Sequence, residues 1–384
     1  MTRYFDHNAT TPLSPAAREA WLQAQAEAWH NPSGLYREAG GVKQRLEAAR
    51  EACGAILGSE AQRIVFNSGA TEGCNAVMAH ESQRAAPRAR VFLSAVEHAC
   101  VVEAARKFFG HAAMIELPVT SSGVLDLEQA QRMIAADPPS LVSVMAANNE
   151  TGVLQPWREL AAFCRSLEVR FHCDAAQWIG KLPADGFGVC DWVTASGHKF
   201  GAPKGVGLLL IPAVVTRPLA LQAGGPQESG HRGGTENYPA VAAMLAALQY
   251  QTDAGNAAHR DAFESALLAA VPGTQLLGAT TQRLANTAMA IMPKHGNLKW
   301  LTRLDERGFA VSTGSACSAG KGNPSHTLAA MGLAHDEMGR VLRFSGGAET
   351  TAADWLSLAA AMADTWQALQ RGDRTVTKLD LTAI

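Results

Sequence analysis

Apolar positions along this chain follow two alternating rhythms. Val42, Leu46, Ala49, Cys53, Ile56 and Leu57 fall three or four residues apart, which predicts an amphipathic helix over 42–57. A helix over 16–29 precedes it, with Thr11 or Ser14 as its cap, and Asn31-Pro32-Ser33-Gly34 breaks the pattern between them. Short apolar runs then take over. Residues 63–66, 90–93, 141–146, 169–173, 191–193 and 206–211 read as buried strands, with helices at 101–109, 127–135 and 157–167. Strand–helix alternation predicts a mostly parallel sheet covered on both faces, with ligands at the carboxyl ends of its strands. A helix rich in Ala and Leu begins at Pro239 and runs to about Tyr250. The pattern changes near Asp253-Ala254-Gly255-Asn256, and elements at 287–292, 298–307, 309–312, 341–344 and 352–369 suggest a second, smaller α+β domain. The expected division is a large domain over 15–255 and a small one made of 1–14 with 256–384. Residues 375–384 read as a loosely held tail.

Polar residues collect where ligands are expected. Ser68-Gly69-Ala70-Thr71-Glu72 is a small-residue turn between a strand and a helix, where backbone N–H groups and the helix dipole favour an anion. Glu97-His98, Asn148-Asn149-Glu150, Asp174-Ala175-Ala176-Gln177 and Ser196-Gly197-His198-Lys199 each follow a predicted strand. A lone lysine in such a loop is ordinarily a solvated surface charge. Held out of water, the same amine can form a Schiff base with an aldehyde cofactor. An Asp past a strand is ordinarily a helix cap, and a His there scaffolding. Taken together, a phosphate anchor, an amine, a buried acid and a ring-stacking imidazole are the parts that pyridoxal phosphate needs.

Composition narrows the class. The chain has 384 residues, 47% hydrophobic and 18% charged, which is ordinary for a globular enzyme. Lys and Arg number 33 against 35 Asp and Glu, a net charge of −2 that leaves no footprint for nucleic acid or a membrane surface. No apolar run reaches the ~18 residues of a membrane span, and the start lacks an apolar signal core, so a cytoplasmic location is expected. Seven cysteines, irregularly spaced and without C-x-x-C, point away from a disulfide framework or zinc ribbon and suit a reducing compartment. Most read as small buried apolar residues. Cys317 differs, because Thr313-Gly314-Ser315-Ala316-Cys317-Ser318-Ala319-Gly320-Lys321-Gly322 is small and flexible throughout. No metal site is expected.

Seven ordered motifs resemble the cysteine desulfurase family, a branch of the class V aminotransferases: Ser68 to Glu72, Glu97-His98, Asn148 to Gly152, Asp174 to Gln177, Ser196 to Lys199, Arg232-Gly233-Gly234-Thr235-Glu236-Asn237, and Ser315 to Ser318. The resemblance runs from about Tyr4 to Ser345. It implies the type I fold of pyridoxal-phosphate enzymes: a large domain with a mostly parallel, seven-stranded-type sheet, and a smaller α+β domain carrying the catalytic cysteine loop. It implies that Lys199 binds the cofactor covalently, that His98 stacks on its ring and moves protons, and that Asp174 pairs with the ring nitrogen. Gln177 and Asn149 would hold the ring's oxygen face, with Asn149 also toward the substrate. Ala70, Thr71, Ser196 and His198 would hold the phosphate, and Thr235 would reach the phosphate of a neighbouring subunit in a homodimer. Arg343 would clamp the substrate carboxylate. Cys317 would take sulfur from L-cysteine as a persulfide, release L-alanine, and pass the sulfur to an acceptor such as an iron–sulfur scaffold or a tRNA-thiolation protein.

Some positions depart from the family's usual pattern. His7 stands where Asn is common, Gly34-Leu35-Tyr36 replaces Ser-x-His, Pro226 interrupts a glycine run, and Ser345-Gly346-Gly347-Ala348 differs from Ser-Leu-Gly-Arg. None removes a proposed catalytic group, but they leave the subgroup and the acceptor open. A selenocysteine lyase or cysteine-sulfinate desulfinase is the alternative within the family. Ser196-Gly197-His198-Lys199 also satisfies S-x-x-K of serine acyl-transfer enzymes, but the S-D-N and K-T-G partners do not occur. A degenerate paralogue acting only as a binding partner is disfavoured by intact Lys199, Asp174, His98 and Cys317.

Overall fold

A computed structural model describes residues 2–85, 87, 89–219, 222–249, 257–314 and 325–372. The chain enters through β1 (Arg3–Tyr4) and reaches α1 (Pro15–Glu27), where Ser14 is the cap: its Oγ accepts from the Ala17 N–H at 3.2 Å. Helix α2 (Arg37–Leu57) stops at Gly58, whose φ of 64° is left-handed. Then come β2 (Ile64–Asn67), α3 (Ala70–Arg84), β3 (Val91–Ser94), α4 (Ala99–Phe109), β4 (Met114–Leu117) and α5 (Leu127–Ala136). The alternation continues through β5 (Leu141–Ser143), α6 (Trp157–Ser166), β6 (Arg170–Asp174), β7 (Trp192–Ser196) and β8 (Gly207–Leu210) to α7 (Tyr238–Gln249).

These strands form one seven-stranded sheet, in the order β2-β8-β7-β6-β5-β3-β4. The ladders from β4 to β7 are parallel, while β8 runs antiparallel to both β7 and β2. Strand β2 therefore points the same way as β7. Asn67 and Ser196 both lie opposite Gly207, so the turn after β2 opens beside the end of β7. The carboxyl ends of β2, β3, β5, β6 and β7 thus share one edge. Strands β2, β3, β5 and β7 are buried throughout, because helices cover both faces. Strand β4 gave no sequence signal. It lies at the sheet's edge, and its Met-Ile-Glu-Leu run is buried only at Leu117.

A second group of elements follows: α8 (Ala257–Ala270), β9 (Gln275–Leu276), β10 (Thr287–Ile291), α9 (Asn297–Glu306), β11 (Phe309–Ala310), α10 (His326–Ala330), α11 (His335–Met338), β12 (Val341–Ser345) and α12 (Ala352–Gln370). An antiparallel sheet of order β12-β10-β9 and a parallel β1–β11 pair run through it. Phe5 packs here with Phe263, Trp300, Phe344 and Trp355 in a core of their own. The expected boundary near residue 255, the loop around Cys317 and the tail at 375–384 lie outside the described residues. No described helix is long and apolar enough to cross a membrane.

Candidate active site

A cavity of about 220 Å³ opens at the carboxyl edge of the large sheet. Its walls come from the start of α3 (Ala70, Thr71), the start of α4 (His98, Cys100), the loop after β5 (Met145, Ala147, Asn149), the end of β6 and the turn beyond (Asp174, Ala176, Gln177) and the end of β7 (Ser196, His198, Lys199). Of the residues singled out in the sequence, Ala70, Thr71, His98, Asn149, Asp174, Gln177, Ser196, His198 and Lys199 share this space. Thr235 and Arg343 are not among its lining residues. Thr235 is exposed, and Cys317 lies outside the described residues.

The phosphate-cradle turn is held from below. Ser196 Oγ accepts from the Ala70 N–H at 2.7 Å, tying the first turn of α3 to the end of β7. Gly69 sits at φ 144°, and a Cβ there would stand 3.0 Å from Ser196 Oγ. The 15-residue α3 thus directs its positive end at the cavity.

Lys199 follows directly. Its Nζ donates to the backbone oxygens of Asn8 and Ala9, both at 2.8 Å. The polar segment after β1, which the sequence left without a role, is therefore part of the site. Gln177 Nε2 reaches the same Asn8 oxygen at 2.8 Å, and Thr11 Oγ1 donates to the His198 oxygen at 2.8 Å. His198 Nδ1 lies 3.0 Å from Thr10 Oγ1. Burial, with Lys199 beside it, pulls the His198 imidazole down to about 4, so it is neutral at pH 7.

A second amine was missed by the sequence reading. Lys181 Nζ bonds Asn8 Oδ1 at 2.8 Å and Gln177 Oε1 at 2.5 Å, and burial, then the Lys199 charge, lowers its pKa well below the usual lysine value. Nothing in a Gly-Lys-Leu turn distinguishes it from a surface lysine.

Asp174 is 4% exposed and accepts from the Ala176 N–H at 3.0 Å. Burial first, then the nearby Cys100, raises its carboxyl to about 6. A carboxylate this short of solvent suits a cationic N–H partner. Together with an amine and a helix start ready for an anion, it fits the polar atoms of pyridoxal phosphate, and the volume suits one substituted ring.

His98 caps α4, its Nδ1 accepting from the Cys100 N–H at 3.2 Å. The same nitrogen lies 3.0 Å from Cys100 Sγ, which raises the imidazole's pKa despite its burial. The other described cysteines are buried, as expected of most, but Cys100 is no inert apolar filler. Its thiol is drawn down to about 5, foremost by its hydrogen bond with Cys74, whose Sγ is 3.7 Å away. Position two of a helix was the available signal.

Arg343 on β12 is 2% exposed. It donates to the Asn149 oxygen at 2.8 Å and the Gly314 oxygen at 2.9 Å, and pairs with Asp6 at 2.5 Å. Its Nε is buried with no hydrogen-bond partner among the described residues.

Comparison with known proteins is consistent across three kinds of evidence. Residues 3–358 match the family model for class-V aminotransferases. The chain is 35% identical over 359 residues to cysteine desulfurase 2 of Trichormus variabilis, covering 91% of this chain and 89% of that one. It is 37% identical over 363 residues to a cysteine desulfurase of Rhodobacter capsulatus, covering 91% and 93%. Among solved structures, a NifS-like protein superposes with a TM-score of 0.85 at 29% identity, over 97% of this chain and all (100%) of the other. A structure described as SspA in complex with cysteine gives 0.78 at 28% identity, over 90% and 98%.

Proposed function

Because the chain belongs to the cysteine desulfurases of the class-V aminotransferase family, we propose that it converts L-cysteine to L-alanine and holds the released sulfur as a persulfide on Cys317. One observation carries this reading: the amine of Lys199, the buried carboxylate of Asp174, the imidazole of His98 and the first turn of α3 share one cavity. The family depends on pyridoxal phosphate, which when bound draws the electron pair left at the substrate's α-carbon into its ring.

Ala70, Thr71, Ser196 and His198 hold the phosphate, Asp174 the ring nitrogen, and Gln177 with Asn149 the ring's oxygen face. Neutral His198 offers a hydrogen bond without adding a charge. Lys199 is the covalent attachment point. Asn8 and Ala9 oxygens hold its Nζ in place, and once released it can take the α-proton. His98, kept toward its protonated form by Cys100, stacks on the ring and can return a proton. Arg343 receives the substrate carboxylate. Its Nε is buried without a hydrogen-bond partner among the described residues and so has a donor left for an anion, and its contact with the Asn149 oxygen ties it to a residue of the cavity wall. Cys317 thiolate then attacks the substrate's sulfur: an S–S bond forms, the C–S bond breaks, and the carbon skeleton leaves as L-alanine.

The same proposal includes a homodimer in which exposed Thr235 reaches the neighbouring subunit's phosphate site, a cytoplasmic location, and an acceptor protein in iron–sulfur assembly or tRNA thiolation. It also divides the chain into 15–255 and 1–14 with 256–384, as the separate apolar clusters on either side of that division favour. Comparing kcat/KM for L-cysteine, L-selenocysteine and L-cysteine sulfinate tests the reading. It requires L-cysteine turnover with alanine formed. Turnover of selenocysteine or the sulfinate alone would replace it with the corresponding lyase or desulfinase.

A further inference from the structure

Two thiols in the cavity region take no bond-making step in that chemistry, although one of them, Cys100, bears on the charge of His98. Cys74 lies one turn into α3, and Cys100 lies at the start of α4, which packs alongside it. Their sulfurs are 3.7 Å apart. Both sulfurs and an Asp174 carboxylate oxygen lie within 4.8 Å of one another. Cys100 lines the cavity and touches His98 Nδ1 at 3.0 Å, whereas Cys74 is fully buried, with Thr194 Oγ1 3.6 Å from its sulfur.

We propose that Cys74 and Cys100 are a reversible dithiol–disulfide couple in the wall of the cavity, oxidised by hydrogen peroxide. The inference rests on this geometry and not on the desulfurase reading. A disulfide needs the sulfurs to close from 3.7 Å to ~2.05 Å.

The two thiols are unequal in a way that orders the steps. Cys100 opens on the cavity at the start of α4 and beside His98, and its thiol is drawn below the ordinary value, while Cys74 is fully buried and its hydrogen bond with Cys100 and its burial push its thiol up. Cys100 Sγ attacks one peroxide oxygen; the O–O bond breaks, hydroxide leaves, and Cys100 becomes a sulfenic acid. Cys74 Sγ then attacks the Cys100 sulfur; the S–O bond breaks, and water departs with the Cys74 proton. Two thiols lose two electrons, and peroxide is reduced to water. The disulfide removes a negative charge from beside Asp174 and His98 and ties α3 to α4. Oxidation is thereby registered at the carboxylate and imidazole of the cavity.

The test uses the protein as purified, loaded with pyridoxal phosphate. It is treated with hydrogen peroxide, its free thiols are alkylated, and its peptides are mapped by mass spectrometry. The expected result is loss of alkylation at Cys74 and Cys100 together, with a Cys74–Cys100 linked peptide that dithiothreitol abolishes. In Cys74→Ala, Cys100 should instead be trapped as a sulfenic acid by a 1,3-dione. Three results would overturn the proposal: both thiols still fully alkylated, Cys100 passing to the sulfinic acid while Cys74 stays free, or Cys100 linked to a different cysteine.

Discussion

Lys199 Nζ and the backbone oxygen of Asn8 are 2.8 Å apart, and Gln177 Nε2 meets the same oxygen at 2.8 Å. A segment near the start of the chain thus fixes residues that follow β6 and β7. The Asn8 side chain works separately from its backbone. Its Oδ1 accepts from Lys181 and Asn286, and its Nδ2 donates to Thr287 and to the Asn149 oxygen.

Asn8→Ala should therefore separate stability from attachment. It leaves the buried Lys181 amine and the Asn286 amide short of an acceptor, at a cost of about 1–3 kcal/mol. The backbone oxygen that meets Lys199 remains. Chemical unfolding should show the loss, while borohydride should still fix pyridoxal phosphate to the protein. Unchanged stability would contradict the role given to this side chain.

Lys199→Ala should lower alanine formation by about a thousandfold or more, as removal of a group in direct covalent contact does. The intact mass after borohydride reduction should show no added pyridoxal phosphate. A variant that still gains that mass places the attachment elsewhere.

Asp174→Asn should stabilise the cofactor-free protein. Burial raises the carboxyl from its ordinary 3.8 to about 6, so keeping it ionised at pH 7 costs roughly 3 kcal/mol. For an acid whose folded pKa is raised, the cost is absent below the unfolded pKa, grows between the two values and is complete above the folded one. The variant's advantage in guanidinium unfolding should thus be largest at pH 7.5 and nearly vanish by pH 4. The same change should weaken retention of pyridoxal phosphate. Equal stability at pH 7.5 contradicts the electrostatic account of Asp174.

Cys317→Ser should keep the visible absorption of bound pyridoxal phosphate and its response to L-cysteine, yet release no sulfide. Sulfide production at the original rate removes Cys317 from the reaction.

Much of the fold is legible in the sequence because its strands are continuous apolar runs and its helices keep a 3.6-residue period. The β2, β3 and β8 runs and helix α2 are of this kind. Strand β4 is not, since an edge strand needs little apolar surface. At the cavity, residues just past strand ends could be proposed because a parallel sheet brings those ends together. Asn8, Lys181 and Cys100 could not. Asn8 arrives from a remote segment, Lys181 looks like any turn lysine, and for Cys100 a place near a helix start is too slight a signal without the sulfur and imidazole that folding sets beside it. Thr235 sits exposed in the single chain, so the role proposed for it would need a second subunit.

The central claim is that Lys199, Asp174 and His98 serve pyridoxal phosphate in removing sulfur from L-cysteine. The most direct measurement is an absorption spectrum of the purified protein, repeated after addition of L-cysteine with a thiol reductant, with sulfide and alanine assayed in the same sample. The account predicts a visible band that shifts on substrate, and sulfide and alanine in equal amounts. A colourless protein that pyridoxal phosphate cannot reconstitute, and that leaves L-cysteine intact, would contradict it.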